Sequence, residues 1–160
     1  MEVSVREKVL LSTKRLQKLL YFSEVLYMKN NNGRRLFEDD FEAWASGPVI
    51  EDIFIEFMLE TPSWETIKSK PLTIELSKRE KEAITSVVKS SRKMDTVELS
   101  LCSRVEGGPW DAVYDSSSDI TAFISKRDMY EFYRNRDIFD KTPGEKPKTK
   151  KLTLFDKLKK

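Results

Sequence analysis

The 160-residue chain contains no histidine. That absence removes the usual general base near neutral pH, the imidazole ligands of metal sites, and every Ser-His or Cys-His nucleophile pair. Cysteine occurs once, at Cys102, which excludes an internal disulfide and a thiolate zinc site and agrees with a reducing compartment. With no basic partner of the usual kind, that thiol reads as a small core residue rather than a nucleophile. Nothing approaches the roughly 18 consecutive apolar residues of a membrane span. The opening MEVSVREKVLLS has acids and lacks a signal-like apolar core with a small-residue cleavage site, so a cytoplasmic protein without membrane contact is expected. An enzyme made from these residues would have to run on carboxylates, Lys or Tyr; the expectation is that this is not an enzyme and needs no cofactor or metal.

What is present suits one folded domain. The chain is 39% hydrophobic with 11% aromatics, and 35% of its residues are charged. A domain of this length buries roughly two-thirds of its unfolded surface. The formal net charge of +2 is unevenly spread: residues 141–160, KTPGEKPKTKKLTLFDKLKK, hold eight Lys against Glu145 and Asp156, a net of +6, which leaves −4 for residues 1–140. We therefore expect a helical domain over residues 1–140 and a Lys-rich, flexible tail over 141–160, where Leu152, Leu154, Phe155 and Leu158 allow at most a short amphipathic helix. Such a tail can be merely solubilising, can contact nucleic-acid phosphates, or can fold on docking to a partner.

Local patterns are mostly helical. Ser12 or Thr13 caps a helix to about Asn30, whose apolar residues Leu16, Leu19, Leu20, Phe22, Val25, Leu26 and Tyr27 cover too wide a surface for one stripe, so this helix should be central. NNNG at 30–33 ends it. After Gly47-Pro48, with Pro at the first helical position, Val49, Ile50, Ile53, Phe54, Phe57 and Met58 predict a second helix stopping by Pro62. Alternation over 71–76 predicts a short strand. Ser77 with Glu80 and Asp95 with Glu98 are capping-box pairs for two more helices, the first carrying Ile84, Val87 and Val88, the second presenting Val97, Leu101 and Cys102 inward to about Ser103. Ile120, Ala122 and Ile124 alternate briefly before Ser125 caps a last helix with Asp128 at its third position, Met129 stapled to Ile124, and Phe132 and Tyr133 continuing the face. The fold class expected is mainly α with minor short strands, a single compact bundle-like core, without internal repeats or linkers.

Two stretches call for a functional reading. FEDDFEAWASGPVI, residues 37–50, gathers Glu38, Asp39, Asp40 and Glu42 around Phe37, Phe41 and Trp44. It matches neither a calcium loop nor a phosphate loop. Extended, it sets Phe37, Asp39 and Phe41 on one side and Glu38, Asp40 and Glu42 on the other, so the acids read as a solvated face, with a catalytic or metal cluster as the alternative. In SRVEGGPWDAVY, residues 103–114, Gly107 and Gly108 free the backbone and Pro109 sets a helix start before Trp110. The two Gly-Pro turns, each near a Trp, either meet in one surface region or both Trp residues are core.

LQKLLYF (16–22), LFEDDFEAWASGPVIEDIFIEF (36–57), LSLCSRVEGGPW (99–110) and ISKRDMYEFY (124–133) occur in an order and spacing that resembles the Panacea-domain family, which includes SocA-like antitoxins and phage-associated GepA-like proteins. The resemblance implies a mostly helical domain, often borne on mobile elements, that acts by protein contact: an antitoxin neutralising a cognate toxin, and in SocA-like members an adaptor delivering that toxin to a cytoplasmic protease. Partner contact is then expected from an exposed patch at Tyr21, Trp44, Gly47, Pro48, Arg104, Glu106, Gly108, Pro109 and Trp110. One departure is Arg104, near the place where many members carry His; an Arg there can contact an acidic partner or hold Glu106. The alternatives are a nucleic-acid-binding regulator using the tail, a phage protein countering a host factor, and, last, a hydrolase using Glu38, Asp40, Glu42 or Glu106.

Overall fold

In the computed structural model, which describes residues 11–60, 75–145 and 152–153, five helices and four short strands are present among the described residues. The chain is mainly α, as expected. Helix α1 (Thr13–Asn30) is the axis on which the rest packs. Ser12 caps it by accepting from the Arg15 backbone N at 3.2 Å, and Asn32 and Gly33, at φ 55° and 78°, turn the chain away at its end. Leu19, Tyr21, Phe22, Val25 and Met28 are buried, and so are Arg15, Gln17, Lys18, Ser23 and Glu24. A helix covered on several sides must give each of those polar groups a partner. Arg15 shows how, donating to the carbonyls of Met94 at 2.7 Å and Ser91 at 3.0 Å.

The chain next forms an antiparallel hairpin of β1 (Phe41–Trp44) and β2 (Gly47–Val49), with Trp44 opposite Gly47 and Ala43 opposite Pro48. This corrects the reading of Pro48 as a first helical residue. Gly47 sits at φ 104°, where L side chains rarely go, and lets the chain reverse within two residues. Pro48 lacks an N–H, and β2, at the edge of the sheet order β2-β1-β3-β4, is where that loss is tolerated. The expected second helix, α2 (Glu51–Glu60), begins after this strand.

Helix α3 (Lys78–Ser90) and helix α4 (Thr96–Ser103) both open on the expected reciprocal capping boxes, Ser77 with Glu80 and Asp95 with Glu98. In α4 the buried face is Leu99, Cys102 and Ser103, at i, i+3 and i+4, whereas Val97 and Leu101 face outward, contrary to expectation. Strand β3 (Ala122–Ile124) pairs with β1, and helix α5 (Lys126–Tyr133) follows, capped by Ser125, with Met129 and Tyr133 buried. Gly-Gly-Pro-Trp at 107–110 makes consecutive turns rather than a helix start. The segment beyond residue 140 begins against the body: the Gly144 N donates to the Glu106 carbonyl at 2.8 Å, and β4 (Leu152–Thr153) pairs antiparallel with β3. Pro62, most of the expected strand at 71–76, and the expected amphipathic helix of the tail apart from 152–153 lie outside the described residues. No described helix is long and apolar enough to cross a membrane.

Candidate functional site

The two Gly-Pro motifs do come together, and backbone carbonyls are what join them. The carbonyl oxygens of the hairpin turn accept from side chains of the surrounding elements. Lys18 Nζ donates to Pro48 O at 2.8 Å, Ser100 Oγ to Ser46 O at 2.9 Å, Arg104 Nη1 to Ala45 O at 3.2 Å and Trp110 Nε1 to Trp44 O at 2.9 Å. One turn further on, the Gln17 amide closes both ends of a pair with Ile50, donating to its O at 3.1 Å and accepting from its N at 2.9 Å. Side chains from α1, α4 and the 105–110 loop thus grip one short hairpin.

Aromatic packing stiffens the grip. The Arg104 guanidinium lies 5.7 Å from the Trp110 ring centre, and Trp110 stacks on Tyr114 at 4.3 Å. Trp44 donates its indole N–H to Glu42 at 2.8 Å and packs against Phe54 of α2 at 5.1 Å. Glycine is favoured at 47 because φ is 104°, where L side chains are strained, and because a Cβ there would press on Ser103 Oγ at 2.8 Å and Lys18 Nζ at 2.9 Å. Lys18 itself is 1% exposed, and burial, reinforced by the positive charges of Arg104 and Lys14, pulls its ammonium down to about 7.

The expected surface patch is therefore largely interior. Tyr21 is fully enclosed among Phe22, Phe41 and Tyr133, with its hydroxyl pushed well above the usual range by burial. It cannot touch a partner, because it belongs to the central helix rather than to a surface one. Gly47, Pro48, Gly108, Pro109 and Trp110 are buried too, Trp44 and Arg104 half-buried, and of these residues Glu106 alone is exposed. Arg104 holds Ala45 rather than Glu106. Beside the hairpin a shallow groove of about 280 Å³ is lined by Trp44, Tyr114, Asp115, Ile120 and their neighbours. Gln17, Lys18 and Ser100 were missed as members of this assembly; the signal was two polar residues inside LQKLLYF on a helix too apolar to leave them in water.

The acids of FEDDF follow from a second buried arrangement. Glu24 pairs with Lys126 at 2.9 Å, both almost wholly enclosed, and its other oxygen accepts from the Leu36 and Phe37 backbone N–H groups at 2.9 and 3.3 Å. Lys126 also donates to Phe37 O at 3.3 Å and lies 4.5 Å from the Phe37 ring; burial lowers its ammonium, and Glu24 opposes that shift. With residues 36–37 fastened from inside, Glu38 and Asp39 face solvent, and Glu38 pairs with Arg35 at 3.1 Å. Among the described residues no three His, Cys, Asp or Glu side chains are grouped to hold a metal. Cys102 is fully buried, donates to Phe139 O at 3.3 Å and has its thiol raised by burial, which suits a core residue.

Residues 16–111 match the model of the family described as antitoxin SocA-like, Panacea domain. That interval contains every residue of the hairpin grip, from Gln17 to Trp110. The chain is 32% identical over 108 residues to the antitoxin SocA of Caulobacter vibrioides (strain NA1000 / CB15N), a match covering 61% of this chain and 57% of that protein. The alignment thus spans little more than half the length of that relative. No solved structure matches.

Proposed function

The chain belongs to the SocA-like antitoxin, Panacea-domain family, and on that footing we propose that it is the antitoxin of a toxin–antitoxin pair, neutralising a cognate toxin protein by stoichiometric contact in the cytoplasm rather than by catalysis. The observation that carries the reading is the coincidence of the family match with the gripped hairpin: the residues that the family model spans include a scaffold that fixes a turn by its main chain. The chain's lack of histidine supports the same reading. Fixed backbone lowers the ordering cost of association, so a turn held at four carbonyls is suited to protein contact. The proposal extends to the adaptor role, delivery of the bound toxin to a protease, and to carriage on a phage or mobile element.

The test is co-expression with the small protein encoded beside its gene. The expected result is relief of growth arrest together with a complex that survives purification, retained by a chain ending at Glu145. The cut removes the Lys-rich end together with β4 and keeps Gly144, which is bonded to Glu106 of the body. Growth arrest that persists with both proteins made, or recovery of nucleic acid in place of a protein, overturns the proposal.

A further inference from the structure

Helix α2 leaves the hairpin directly and packs on the body by one side only. Ile53 joins the edge of the core and Phe54 meets Trp44, yet none of residues 51–59 is fully buried. Its other side is apolar as well: Ile55, Met58 and Leu59 are 46%, 56% and 81% exposed, with Met58 at the margin, where its sulfur accepts from Thr13 Oγ1 of α1 at 3.6 Å. These three stand at i, i+3 and i+4, so they form one continuous outward patch. A surface helix ordinarily turns polar residues outward, and an apolar outward face marks a contact surface.

The charges on that face are of one sign. The helix reads EDIFIEFMLE, with four acids and no Lys or Arg, and Glu51, Asp52 and Glu56 are exposed beside the apolar patch. A partner complementary to it interleaves apolar side chains with Lys or Arg. The chain's own Lys-rich end has that composition, but Leu152–Thr153 is already paired to β3, and the order β2-β1-β3-β4 sets that edge opposite to the one from which α2 departs.

We propose that the outward face of α2, Ile55, Met58 and Leu59 flanked by Glu51, Asp52 and Glu56, is the surface that receives a basic, apolar segment of the cognate toxin. The inference rests on the antitoxin reading and names its contact surface.

The experiment uses the full chain carrying Leu59→Cys. Cys102 is wholly buried, so the new thiol is the fast-reacting one. In the free protein it should react with a thiol reagent nearly as fast as a small-molecule thiol, and in the complex with the co-expressed neighbouring toxin at least about tenfold more slowly. Glu56→Lys should weaken that complex at least about tenfold and Glu56→Gln by less, with both losses shrinking as salt rises. Slow labelling of the free protein would mean that the chain covers its own helix and would overturn the proposal. Unchanged labelling in the complex, with toxin bound and growth restored, overturns the surface alone; absence of any complex with the wild-type chain overturns the antitoxin reading and the surface with it.

Discussion

Lys18 offers a measurement that isolates one buried amine. It is 1% exposed and donates to Pro48 O at 2.8 Å, with the like charges of Arg104 and Lys14 nearby. In the unfolded chain it titrates at the ordinary value of 10.5, and in the folded chain at about 7. Between those values the unfolded state holds a proton that the folded state lacks, so this group makes stability rise with pH. Below pH 7 both states are protonated and the full cost of enclosing the charge is present; that cost fades as pH climbs towards 10.5. Linkage gives a gain of roughly 2–3 kcal/mol between pH 6.5 and 9.0 from this residue alone. The assay is urea unfolding of the wild type and of Lys18→Met at those two pH values. The difference between the two proteins cancels the titration of other groups, and the wild type should gain on the variant by that amount. Methionine keeps the stem's apolar packing but leaves Pro48 O without its donor, which shifts the variant by a constant and not by a slope. Differences that agree at both pH values within about 0.5 kcal/mol would show that the bond to Pro48 holds the amine charged, and would refute the claim that desolvation governs it.

Other perturbations test the remaining contacts. Trp110→Phe preserves an aromatic ring against Tyr114 but strips the donor from Trp44 O, and should cost about 1–2 kcal/mol by denaturant titration. Glu24→Gln leaves Lys126 enclosed without its counter-charge and should lower stability by about 3–5 kcal/mol; the Glu24→Gln, Lys126→Met double variant, which keeps an acceptor oxygen for the Leu36 and Phe37 N–H groups, should recover most of it, and a double variant no better than the single would disprove the pairing account. Gly47→Ala demands φ 104° of an L side chain and meets Ser103 and Lys18, so its melting temperature should fall by several degrees; an unchanged melting curve would show that the turn can relax.

How far the sequence could be read depended on the range of the interaction. Ser12, Ser77, Asp95 and Ser125 were legible as caps because each acts on a backbone N–H three residues ahead. The start of α2 was misplaced because Gly-Pro is equally compatible with a helix entry and with an edge strand, and pairing with β1 decides between them. Val97 and Leu101 were turned inward because hydrophobicity alone names apolar residues; which side of α4 faces α1 is set by the assembled core. The motif residues were recognised as a set, and the core alternative for the two Trp residues holds for Trp110 and half holds for Trp44, but the burial of Tyr21, Pro48 and Pro109 was not foreseen. Trp44, Pro48, Arg104 and Trp110 meet through main-chain carbonyls, and carbonyls have no letter in a sequence. The same limit hid Glu24 and Lys126, a hundred residues apart in the chain and 2.9 Å apart in space.

The hairpin is held by its main chain, and this leaves its tip chemically unassigned. Ser46 and Ala45 are gripped through oxygens that every amino acid possesses, and the Ala45 side chain is open to water. Replacement of those two residues therefore changes what the turn displays without loosening what mounts it. A scaffold of this kind can track a changing partner by substitution at its tip, while Gly47, Lys18 and Trp110 beneath it stay under steric and hydrogen-bonding constraint.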